Sequence, residues 1–189
     1  MITHNDSPQT PSTAANFVWL LILALAGLGG SLVISCVMPF VALAVALAGT
    51  VRLAVALRAM TAIWFINQLI GFVFLHFPCT ENTILWGCAI GCAALLSTVV
   101  ASSVIKHANG APPLARLGLA LLLGYVAFEA SLSVAALFLG GVETFSPAVI
   151  TQIGLVNLAW LVGLIVLNEL LLVVGKSWVG VIPRLAKAS

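Results

Sequence analysis

Charge is what this sequence has least of. Only seven of its 189 residues are Lys or Arg and five are Asp or Glu, 6% of the chain, where a soluble globular domain carries roughly 25%. So few charges cannot coat a water-soluble fold of this size. A soluble enzyme, a secreted disulfide scaffold and a nucleic-acid binder are excluded on that ground. Familiar chemical signatures are lacking too: there is no Gly-x-x-x-x-Gly-Lys loop, no His-Glu-x-x-His, no Gly-x-Ser-x-Gly and no cysteine pair spaced for zinc. No enzyme is expected, and any uphill work must draw on a gradient or on another subunit. The net charge of +2 is too small to call for a polyanionic partner.

Hydrophobic residues make up 62% of the chain, and the mean hydropathy is +1.24. Lipid is then the main solvent. Residues 1–16 are polar, contain two prolines and show no apolar period, so they read as a disordered tail. Apolar runs follow from Phe17 to residue 175, with a basic tail over 176–189. Four runs are spans by length: Arg52–Leu75, Ile84–Ile105, Leu114–Leu139 and Pro147–Val174. Each exceeds the ~20 helical residues that cross a bilayer. Alternating ten-residue strands are absent, which excludes a barrel. The expected fold is all-α, a polytopic membrane helix bundle.

Phe17–Ala48 is ambiguous. Its 32 residues would form a helix of about 48 Å, too long for one upright span of a ~30 Å core. Breaks are offered by Gly27-Leu28-Gly29-Gly30-Ser31 and by Pro39. Two short helices would give six membrane helices in all; one span and a re-entrant helix would give five. The run Ala24-Leu25-Ala26 resembles a cleavage site and Val33-Ile34-Ser35-Cys36 a lipoprotein box. Both lack the basic start of a secretory signal, so an uncleaved first helix is expected. Arg52, Arg58, Lys106, Arg116, Lys176, Arg184 and Lys187 fall at alternate ends of the spans, while Glu81 and Glu143 occupy the intervening loops. The positive-inside rule then puts the C-terminus in the cytoplasm of an inner, plasma-membrane protein.

Polar residues inside these spans are the candidates for function. Glu129 is the most costly, at about 2.5–3.5 kcal/mol on insertion scales, and shares a face with Tyr125 and Ser133. A ligand contact or proton relay and a plain helix-to-helix tie both fit it. Asn67 and Gln68 are adjacent and so point about 100° apart; at least one must face protein. Asn157 stands in the part of its span from which a ligand would enter, whereas Glu169 near Lys176 suits an interface. In the loop of residues 76–83, His76, Cys79 and Glu81 offer ligands to a soft metal or a metal-centred cofactor. No fixed spacing marks a metal site here, and the blander reading of the same loop is a capped turn, with Pro78 ending one helix and Thr80 or Asn82 starting the next. Small residues four apart, Gly87 and Gly91, Ala42 and Ala46, and Ala44 and Ala48, allow close helix approach. With no soluble domain to explain it, the alanine face is a candidate partner interface.

Length, about six helices, basic loops on one side and the Ala42-x-x-x-Ala46 face together resemble the substrate-binding S components of energy-coupling-factor vitamin transporters. The resemblance implies that Ala42 and Ala46 meet a transmembrane coupling subunit, with ATPases as separate proteins. It is similar also to the bacterial cobalamin-specific branch, which ligates cobalt through a cysteine near the outside. Cys79 is the position that would do so, making cobalamin the implied ligand. The reading is a membrane-embedded component for uptake of a small solute, with Asn67, Gln68, His76, Cys79, Glu129 and Asn157 as its substrate contacts. The alternative is a non-transporting assembly or scaffold subunit of an inner-membrane complex.

Overall fold

Long apolar runs have no way to satisfy backbone polar groups in hydrocarbon except within a helix, and helices are what they form. The structure, a computed structural model, describes residues 21–23, 25, 38–108 and 110–175, of which 171–175 are described by backbone alone. All regular structure among them is helical: α1 (Phe40–Thr50), α2 (Leu53–Leu69), α3 (Glu81–His107), α4 (Pro113–Leu139) and α5 (Pro147–Gly175). Four helices are long and apolar enough to cross a membrane: Leu53–Phe74, Glu81–His107, Pro113–Leu139 and Pro147–Leu170. The polar tail 1–16, the glycine break at 27–31 and the basic tail 176–189 lie outside the described residues.

Local chemistry sets the ends of these helices. Thr80 caps α3, its hydroxyl accepting from the Thr83 amide at 3.3 Å, and Ser146 does the same for Val149 at 3.4 Å ahead of α5. Pro113 and Pro147 occupy first-turn positions, where a missing N–H costs nothing. Gly140 and Gly141 carry φ of 83° and 90°, a left-handed exit from α4 that side chains resist. The end of α2 widens into a π turn, Ile70–Phe74, with the Leu75 amide reaching the Ile70 carbonyl at 3.0 Å. His76 follows at φ 54°. Of the two readings of the loop over 76–83, the capped turn is the one formed.

At the centre is α1. All but Ala48 and Thr50 of its eleven residues are buried, as expected of a helix that is apolar on every side. It packs against each of the four longer helices, whereas most of each long span faces outward, with only 17–39% of it buried. Phe74, Leu114, Leu137 and Phe138 are 68–82% exposed, a surface suited to hydrocarbon and not to water. Eleven residues make about 16 Å of helix, half of a ~30 Å bilayer core. The break that Pro39 offers is therefore real, and α1 is a half-length helix wrapped by full-length ones.

That arrangement corrects one expectation. Ala42 and Ala46 have no exposed surface, and neither has Ala44. Their small side chains bring α1 close to its own neighbours, so this face is filled by the chain itself and has nothing left to present to a partner.

Candidate functional site

A half-length helix creates two problems at its buried end: unpaired amides and unfilled space. The first is solved by α5. Asn157 is 2% exposed, and its Oδ1 accepts from the Val41 and Ala42 amides, each at 3.1 Å. Its Nδ2 donates to the Ile153 carbonyl at 3.0 Å. The Phe40 amide reaches the Met38 carbonyl at 2.8 Å and the Leu43 amide that of Pro39 at 3.0 Å. The Leu43 bond is the first of the helix's own ladder and Pro39 has no N–H, so the three orphan donors of the first turn, Phe40, Val41 and Ala42, are all paired. Asn157 lies ten residues into α5, about 15 Å from its start, so α1 begins near the middle of the bilayer. The expectation that Asn157 contacts substrate gives way to a structural role, because both ends of its amide are taken by backbone.

The second problem leaves a cavity of ≈ 380 Å³ beyond the start of α1. Met38 and Phe40 form its floor, and its walls come from the end of α2, the start of α3, the second half of α4 and Ile153 of α5. All these positions lie on the side of the membrane that carries Glu81 and Glu143. Asn67 and Gln68 both line the cavity, each half-buried. Neither amide has a hydrogen-bond partner among the described residues. Facing them are the rings of Phe77, Trp86 and Phe128. No Asp, Glu, Lys, Arg or His is among its described lining residues.

Glycine gives this wall its shape. A Cβ on Gly87 would sit 2.9 Å from Gln68 Oε1, and one on Gly91 would sit 2.6 Å from Trp64 Cε2. The Trp64 indole lies in that notch and donates to the Gly87 carbonyl at 2.8 Å. The Gly87/Gly91 pair does serve packing, as its spacing suggests, but what it admits is an indole and a carboxamide from α2. Phe77 folds back onto Gly71 in the same way, its Cδ2 2.9 Å from where a Cβ would stand.

The remaining candidates are not drawn into this space. His76, Cys79 and Glu81 are exposed, and no group of three or more His, Cys, Asp or Glu side chains able to hold a metal exists among the described residues. Neighbours in sequence have been spread along a turn, and the three do not form a group of that kind. Cys79 does not line the cavity; its Sγ is 3.9 Å from the Phe77 carbonyl oxygen. Glu129 is 8% exposed, with Oε1 buried and unpartnered. It too is absent from the lining and sits where α4 meets α5: Tyr125, one turn earlier, donates its hydroxyl to the Ile150 carbonyl and packs its ring against Gly154. Of the six expected substrate contacts, then, only Asn67 and Gln68 share a cavity. Sequence reasoning missed its aromatic walls, Phe40, Phe77, Trp86 and Phe128, which carry no mark distinguishing them from lipid-facing rings.

Comparison of the chain with family models, with curated proteins and with solved structures gives no match.

Proposed function

We propose that this chain is a membrane-embedded component that binds and takes up a small solute in the cavity above α1. One observation carries the reading: two adjacent primary amides, Asn67 and Gln68, face a ring-lined cavity without hydrogen-bond partners among the described residues. The two amides open onto the cavity and are not sealed off by protein, so their donors and acceptors are available to a polar ligand. The broken helix beneath adds weight, since solute sites in transporters gather at discontinuous helices near the midplane. A cavity of ≈ 380 Å³ falls toward the small end of the ~300–1,000 Å³ range of ligand sites.

The protein resides in a bacterial inner membrane with its C-terminus in the cytoplasm, and solute enters from the Glu81/Glu143 side. Energy comes from a gradient or from a coupling subunit with its ATPases. If such a subunit docks, it does so away from Ala42 and Ala46. Among solutes, a corrinoid is disfavoured: Cys79 lies outside the cavity, and a tetrapyrrole with a nucleotide tail far exceeds it. A scaffold role without solute would lean on the alanine and glycine faces, both of which the chain fills itself.

Mass spectrometry of small molecules retained by the protein in native lipid discs tests this. Wild type should retain a solute that Asn67→Leu/Gln68→Met loses. Identical retained profiles would end the proposal.

A further inference from the structure

The cavity also restricts the chemistry of what it holds, given the solute-binding reading above. Every polar group among its described lining residues is neutral. Thr83 is turned to its own capping turn, its hydroxyl 2.8 Å from that of Thr80, which leaves the indole N–H of Trp86, a lone donor, and the carboxamides of Asn67 and Gln68. Each carboxamide presents a carbonyl acceptor and an NH2 donor in one plane, a pattern that pairs edge-on with a group carrying both a donor and an acceptor. An ion would find no countercharge. The amides at the start of α1, which would otherwise attract an anion, are already closed by Asn157. Around the two carboxamides stand Phe40, Phe77, Trp86 and Phe128 with Met38, walls that favour flat apolar surface through stacking and edge-to-face contact.

We infer that the ligand is an uncharged, ring-bearing molecule of one or two rings with an amide-like donor–acceptor edge, its edge on Asn67 and Gln68 and its ring between the aromatic walls. Gly87 leaves room for the Gln68 half of that pair, because a methyl group there would displace its carboxamide.

Three probes of nearly equal size separate the elements of this claim: benzamide has ring and edge, benzoate has ring and charge, and toluene has the ring alone. Tritiated benzamide should bind the full-length protein in lipid discs saturably at millimolar concentration. Benzoate should fail to displace it, and toluene should compete about tenfold less well, the effect of losing one to two modest hydrogen bonds. The near-isosteric apolar variant Asn67→Leu/Gln68→Met should lose the preference for benzamide over toluene while still binding toluene, which shows that the cavity is intact. No saturable benzamide binding, or displacement by benzoate as strong as by benzamide, would overturn the ligand class. If benzoate displaces and the variant abolishes its binding, the class fails but the site stands. If the variant binds benzamide like wild type, the site itself fails, and the proposed function with it.

Discussion

Two sets of carboxamides lie near the same depth of this molecule and do opposite things. Asn157 is almost wholly buried and spends its oxygen on two backbone amides and its nitrogen on a carbonyl. Asn67 and Gln68 are half-buried and spend nothing on the other described residues. Chemically these are the same group. The difference teaches that a polar residue in a membrane span is not functional by composition; what matters is whether the fold has already used its hydrogen bonds.

Mutation can sharpen that contrast. The largest effect is expected from Asn157→Leu, which strands two backbone amides in a dry interior and should cost about 2–5 kcal/mol. Reversible unfolding in mixed micelles measures it. Asn157→Asp, which keeps the acceptor at a helix N-terminus, should recover more than half of the loss, and equal damage by both would contradict the capping role. Next is Gly91→Leu, which drives a side chain into the Trp64 indole; overpacking of this kind costs about 1–3 kcal/mol. Lowered thermal stability with reddened tryptophan emission would report it. Tyr125→Phe removes one hydrogen bond between α4 and α5 and should cost only ~0.6 kcal/mol. At the bottom stands Asn67→Leu/Gln68→Met, with stability within about 0.5 kcal/mol of wild type and solute retention lost. Should that pair destabilise as much as Asn157→Leu, the contrast between used and unused amides would collapse.

The spans were legible because hydropathy and length decide them almost unaided. The core was less so: Pro39 marks a break, but that the eleven residues after it form the centre of the bundle depends on helices far along the chain. Asn67 and Gln68 could be singled out from cost alone, since two adjacent amides turned to lipid would leave both without hydrogen-bond partners. Asn157 passed the same test and was misassigned, because nothing near it in sequence tells that a helix begins beside it; its partners are more than a hundred residues away. The alanine and glycine faces were read correctly as sites of close approach, yet spacing says nothing about who approaches. His76, Cys79 and Glu81 show the converse case, where the capped turn is already the plainer reading. Short separation along a chain promises convergence only if the turn curls inward, and Thr80 begins a helix instead.

The bond between Asn157 and α1 also has a consequence for biogenesis. Its partners are separated by 116 and 115 residues, so on the ribosome roughly 6–23 s pass between the two at ~5–20 residues per second. During that interval α1 has left the ribosome as half a span whose leading amides have nowhere to go in lipid. α5 is then the helix that completes the first turn of α1, and a nascent chain halted before residue 157 should leave Phe40–Thr50 accessible to a water-soluble cysteine reagent at an introduced Ala42→Cys, protection arriving only when α5 is inserted.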